Sequence, residues 1–212
     1  NDDVSRAIET AADRTLIEAS AYMDGRNAFF VLTSPGEWTW ECNVTTGYQW
    51  NERKSYGRDD WRARRSIRAF DRWIAGDVDT GKFFEVDNTY RKEEDDPLIW
   101  HLESGDNANF PYRVVIGDAY FDFTAALGVA SGADPIETDP KVMISWSLDG
   151  GYTWGSEITR SLGQQGQGGR LVGVSTVGMT KAKGVRFRLR ISDPVPVTFK
   201  GGSLPNLAAR AA

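Results

Sequence analysis

Ser147-Leu148-Asp149-Gly150-Gly151-Tyr152-Thr153-Trp154 carries the most explicit turn chemistry in the chain. The chemistry of a tight turn explains each residue type. Asp149 has a short side chain that can accept hydrogen bonds from backbone N–H groups of its own turn. Gly150 and Gly151 supply positive φ without a Cβ clash. Thr153 and Trp154 are expected to open the next strand, with the indole covering the apolar face of the hairpin. Folding alone thus accounts for Ser147, Asp149, Gly151, Thr153 and Trp154, which form a structural turn with no catalytic assignment.

On both sides of this stretch the chain alternates turn chemistry with short apolar or alternating runs. Asp2 or Asp3 is placed to cap a short helix through Val4, Ile8 and Ala12. Ile17–Met23, the Asp24-Gly25 turn and Ala28–Thr33 read as a hairpin. Trp38–Val44 alternates with period two, and Thr46-Gly47 turns the chain into Tyr48–Asn51. Ser66–Gly76 reads as one strand, Asp79-Thr80-Gly81 as a turn and Lys82–Asp87 as the returning strand. Leu98–Glu103 and Tyr112–Phe123 read as longer strands, and Leu127–Pro140 as a long loop. Lys141–Ser147 leads into the Asp149 turn. Gly163–Gly169 is a Gly/Gln-rich loop. Val185–Ile191 alternates strictly, with three arginines on one face, and is the clearest half-buried strand. Ser192-Asp193-Pro194 stops it, Val195–Lys200 follows, and Leu204–Ala212 reads as a loose tail. The fold class is therefore all-β, with a strand spacing that suits a propeller, sandwich or barrel, divided into β hairpins over 1–96 and a β-rich region over 97–212.

Composition bounds the function. The 212 residues include eight Trp and 22 Gly, which suits short strands and tight turns. No run approaches the length of a membrane span, and no signal-peptide pattern opens the chain. A start at Asn1 reads as a processed product, a fragment or part of a longer chain. Cys42 and His101 are each the only residue of their type, which leaves no disulfide framework and no Cys/His metal cluster and favours packed side chains. No cofactor is implied. The net charge is −5, but charge is segregated: residues 82–140 hold 13 acids and four bases, whereas 158–192 hold seven bases and no acid. The seven are Arg160, Arg170, Lys181, Lys183, Arg186, Arg188 and Arg190. They read either as a solvated strand face or as a surface for an acidic neighbour or DNA. In a second basic stretch, Arg53–Arg72, Asp59, Asp60 and Asp71 are placed to pair locally.

Two resemblances follow from these residues. The Ser147–Trp154 pattern resembles the Asp-box, a hairpin signature of sialidases and other β-propeller proteins. The order of motifs is broader in reach. Phe29–Pro35 comes first, then Thr39-Trp40, then Thr46-Gly47, Trp50 and Arg53. Gly76-Asp77 with Gly81 follows, then Ser147–Trp154, then Ser161-Leu162-Gly163 with Gly166, and last Phe187–Pro194. Over roughly Leu16 to Phe199 this resembles the C-terminal half of the tail-accessory, or packaged-DNA stabilisation, proteins of short-tailed bacteriophages.

That resemblance implies partial β-propeller blades, an Asp-box hairpin and an additional β-rich region, with Asn1 falling part-way round the propeller. It implies a structural virion protein, assembled in the host cytoplasm, that forms a ring of its own copies, a hexamer. The ring would bridge a portal or head-to-tail adaptor protein to the tail needle, nozzle or spikes and help retain packaged DNA. Non-specific DNA contact by the basic residues fits such a channel wall, and no membrane partner is implied. The family has no catalytic motif to carry over. The rival reading is an Asp-box propeller that binds or hydrolyses glycans, sialidase-like, with an Arg cluster, a Tyr nucleophile paired with a carboxylate and stacking aromatics such as Trp38, Trp40, Tyr48 and Trp50. Those aromatics have equally the spacing of cross-strand packing.

Overall fold

Asn1 starts the first element. Its side chain accepts the Asp3 N–H at 3.0 Å and caps helix α1 (Asp2–Thr10). The cap is therefore Asn1 and not Asp2 or Asp3. Those two acids lie in the first turn instead, where they complement the helix dipole. The computed structural model describes residues 1–124, 128–131, 135–205 and 207–210. The chain is mainly β and divides into two compact units, 1–96 and 97–212.

In the first unit, β1 (Glu18–Asp24), β2 (Asn27–Ser34), β3 (Trp38–Asn43) and β4 (Gln49–Glu52) form an antiparallel up-and-down sheet in chain order. A second meander follows, made of β5 (Ala63–Ala69), β6 (Arg72–Asp77) and β7 (Phe83–Glu85). Ser66–Gly76 is therefore a hairpin and not one strand. Its two-residue loop is Phe70-Asp71, at φ 52° and 60°. A two-residue hairpin loop with both residues at positive φ is usually signalled by Asn-Gly or Asp-Gly, and Phe at positive φ is uncommon. A short ladder, β8 (Lys92–Glu93) with β9 (Asp96–Pro97), follows. Tyr22, Val31, Trp61, Ala63 and Ala75 form the core, with Tyr22 stacked on Phe29. Cys42 is buried. No closed propeller forms among the described residues.

Charges in this unit are paired locally. Asp60, with a side chain 1% exposed, takes Arg58 at 2.8 Å and Arg64 at 2.6 Å. Burial alone would raise its pKa, but Arg58, the Gly36 N–H and Arg64 outweigh burial and hold it low. Asp59 pairs with Lys54 and Asp71 with Arg68. Arg62 grips Asp77 with two hydrogen bonds, at 2.8 and 2.6 Å.

The second unit is a sandwich. One sheet runs β10 (Trp100–Glu103), β15 (Arg186–Ile191), β12 (Lys141–Ser147), β13 (Ile158–Ser161). In the other, β14 (Val172–Met179) and β16 (Phe199–Ser203) flank β11 (Arg113–Phe123). β17 (Leu207–Arg210) also pairs with β11, opposite Arg113–Ile116. The expected tail is thus partly a strand, and its residues 206, 211 and 212, like part of the Leu127–Pro140 loop, lie outside the described residues. Inward side chains of both sheets share one core, including Ile116, Phe121, Val142, Ile144, Val174, Phe187, Leu189 and Ile191. Phe187 meets Phe121 edge-on at 5.3 Å. β14 escapes a period-two reading because Thr176, at φ 58°, bulges between its paired residues Ser175 and Gly178. Gly184 is required by its place: φ is 85°, and a Cβ there would meet the Asn107 carbonyl oxygen at 2.3 Å.

Candidate functional site

Asp149 organises the loop between β12 and β13. Its Oδ1 accepts the Ser147 Oγ–H and the Thr153 N–H, each at 2.8 Å. Its Oδ2 accepts the Thr153 Oγ–H at 2.8 Å and meets Lys181 at 3.5 Å. The Thr153 N–H above all, then the Ser147 and Thr153 hydroxyls, hold the carboxyl far below its ordinary range. Ser147 Oγ in turn accepts the Gly151 N–H at 2.8 Å. Gly150 and Gly151 lie at φ 76° and 94°. A carboxylate has about four lone-pair sites, and four contacts occupy them here. Three of these contacts come from the turn's own residues, Ser147 and Thr153, which is the geometry of a turn clasp.

Trp154 departs from expectation. Strand β13 begins only at Ile158, so Thr153 and Trp154 belong to the loop. The indole N–H donates to the Gly151 carbonyl at 3.1 Å, and its ring carries the Arg188 guanidinium at 3.9 Å. It therefore stacks on a cation and does not cover the apolar face. Trp146 takes that place, packing against the core and donating to the Val177 carbonyl at 3.0 Å.

The three arginines of β15 share the outward face of their sheet. Arg186 forks onto Asp106 at 2.6 and 3.0 Å and lies 3.5 Å from Glu103. Arg188 pairs with Glu103 at 3.0 Å and Arg190 with Glu157 at 3.4 Å. The Asp106 hydrogen bonds push the Arg186 pKa up, and Arg186 holds Asp106 down. β10 lies beside β15, with Glu103 opposite Arg188. Glu103 and Asp106 of the acidic 82–140 segment thus meet Arg186 and Arg188 of the basic 158–192 segment within one unit, a pairing that sequence distance hides. His101 lies opposite Arg190 and is exposed, not packed. Lys183 lies against Tyr152, its ammonium 4.2 Å from the ring centroid. Arg160 and Arg170 have only uncharged acceptors among the described residues: the Gly173 and Thr159 carbonyls for the first, the Gln167 side chain for the second.

One constellation that the sequence did not single out lies in the first unit. Tyr22 Oη donates to Glu41 at 2.6 Å, and Arg53 donates to both, at 2.8 Å to Tyr22 and 2.6 Å to Glu41. Arg53 also stacks on Trp61 at 3.9 Å. A Tyr–carboxylate–Arg set is what a sialidase-like mechanism needs. Tyr22, however, is only 4% exposed, and burial pushes its phenol far up, against the direction a nucleophile requires. The aromatic series does not make one sugar platform either. Trp38 is buried, Tyr48 is 70% exposed, and Trp50 packs edge-on against Phe30 across the sheet. Among the described residues no group of three or more His, Cys, Asp or Glu is arranged to hold a metal ion, and no helix is long and apolar enough to cross a membrane.

Residues 118–205 match the family model described as bacteriophage P22 Gp10, beta-sandwich. This is a family of tail accessory proteins of short-tailed phages, the family that the order of motifs resembles. The matched stretch runs from within β11 past β16 and contains the Asp149 turn and the β15 arginines. The matched family is one of phage tail structural proteins. No curated protein matches the chain.

Proposed function

We propose that this chain is a structural protein of a phage tail that bridges the portal or adaptor to the distal tail and helps retain packaged DNA. The observation that carries the reading is the match of residues 118–205 to the P22 Gp10 beta-sandwich, falling on a two-sheet sandwich. The motif order from Phe29 to Pro194 supports it. In this reading the two meanders of the first unit are propeller blades, the Asp149 turn is an Asp-box used as a clasp, and the protein is not an enzyme. Copies form a ring, a hexamer, that meets an adaptor above and needle, nozzle or spike proteins below. Permanent assemblies of this kind often bury more than about 2,000 Å² per interface. Closed rings use heterologous contacts.

The β15 arginines already hold acids of their own chain, so ring contacts need not draw on them. Native mass measurement of the protein, together with imaging of the particle, tests the proposal. A closed ring on the tail axis is the expected result. A chain that is monomeric in the mature particle, or absent from it, contradicts the reading.

A further inference from the structure

Of the seven cations between Ile158 and Ser192, five have an acid or an aromatic ring as partner. Arg186, Arg188 and Arg190 pair with Asp106, Glu103 and Glu157, Lys181 meets Asp149, and Lys183 lies on Tyr152. Arg160 and Arg170 differ. Both are exposed, and neither has an acid within ion-pair distance among the described residues. They flank the crossover from β13 to β14, which is the Gly163–Gly169 loop. Arg160 Nε donates to the Gly173 carbonyl at 3.2 Å, and one of its Nη groups to the Thr159 carbonyl at 3.0 Å. These bonds hold the guanidinium at the edge of the sandwich beside Gly173, whose Cα lies three residues along the chain, roughly 10 Å at most, from that of Arg170. A guanidinium has five N–H donors, so three remain for a ligand. Residues 164–170 are exposed, and the stretch from Gly163 to Arg170 contains Gly, Gln and Arg only.

We propose that Arg160, Arg170 and the loop between them form a contact for the phosphate backbone of double-stranded DNA, independent of base sequence. Arginines without an acid within ion-pair distance among the described residues, together with amide donors, match phosphate oxygens. A protein partner fits less well, because an interface is anchored by buried apolar or aromatic side chains and residues 163–170 supply none. The contact is weak and salt-sensitive, since the chain as a whole carries −5. The inference deepens the tail reading by naming the residues that touch the genome, yet it is read on the isolated chain and so stands or falls separately.

The test is fluorescence anisotropy of the full chain with a labelled random-sequence duplex, titrated with salt. The double variant Arg160→Gln/Arg170→Gln should bind about tenfold more weakly at low salt, and the slope of log K against log [salt] should flatten by roughly 2, near 0.9 per phosphate contact. Lys183→Gln/Lys200→Gln removes the same charge elsewhere and should leave the slope unchanged. Equal melting curves for both variants confirm that the fold is intact. No binding of the unaltered chain at low salt, equal loss in both variants, or polyglutamate bound as tightly as the duplex with the same dependence on Arg160 and Arg170, would each overturn the proposal.

Discussion

Replacing Asp77 with Asn should loosen the β5–β7 sheet and leave the sandwich untouched. The Asp77 side chain is fully buried and that of Arg62 is 10% exposed. Breaking a buried pair by removing one partner costs about 3–5 kcal/mol, because a charge is stranded. Two contacts soften the loss. Asp79 and Glu94 lie 3.7 and 3.6 Å from the Arg62 guanidinium, close enough to attract it but beyond hydrogen bonding. The lower end, about 3 kcal/mol, is therefore expected. Removing Arg62 instead, as Arg62→Met, should cost less, since Asp77 keeps the Asp79 and Thr80 N–H groups and the Thr80 hydroxyl. Hydrogen exchange of the full chain reads both variants in place. A loss of about 3 kcal/mol corresponds to a hundredfold or greater acceleration in residues 63–85, with residues 141–191 as internal reference. The pH dependence has a definite sign. Arg62, followed by the Thr80 hydroxyl, depresses the Asp77 carboxyl, so the stabilisation is present above the unfolded carboxyl pKa near 3.9 and is lost as pH falls below it toward the folded value. Unchanged exchange in 63–85 for Asp77→Asn, or a larger effect for Arg62→Met, would show that the buried pair does not hold this sheet.

Other outcomes follow from the same geometry. Asp149→Ala should accelerate exchange at Gly151 and Thr153, whose amides Ser147 and Asp149 hold, while glycoside assays stay silent in both proteins; turnover that the variant abolishes without unfolding would falsify the clasp reading. Gly184→Ala should fold poorly, because the new Cβ meets the Asn107 backbone and φ is positive; melting curves report it. Tyr22 should not ionise near pH 10 by absorbance at 295 nm, since burial raises its pKa. The stability it contributes is present below pH 10 and lost as pH rises toward the folded value. Arg188→Ala should shift Trp154 emission, because the cation 3.9 Å from its ring is gone, at a cost of about 0.5–1 kcal/mol.

Much of the fold was legible where turn chemistry is explicit. Gly25, Gly47, Gly81, Gly150 and Gly151 all take positive φ, and the strict alternation of Arg186–Ile191 places apolar side chains inside and arginines outside. What escaped has physical reasons. Phe70-Asp71 turns a hairpin without glycine, and Thr176 breaks the alternation of β14 by a bulge. β17 is held as an edge strand on β11, with Leu207 still 55% exposed, and so has little apolar pattern to announce it. The ion pairs joining Glu103 and Asp106 to Arg186 and Arg188 span about eighty residues, and no local pattern encodes partners that distant. For the same reason, the Tyr22–Glu41–Arg53 set became visible only once three separate segments were brought together.

The proposed role, bridging the portal to the distal tail and helping to retain packaged DNA, is open to a genetic test. The most direct measurement is on particles assembled without the protein: their DNA content after packaging, by nuclease protection, together with their tail composition. Such heads are expected to package DNA and then lose it, or to fail to acquire distal tail parts, with both defects reversed by adding the protein back. Particles that keep their genome and carry complete tails in its absence would contradict that role.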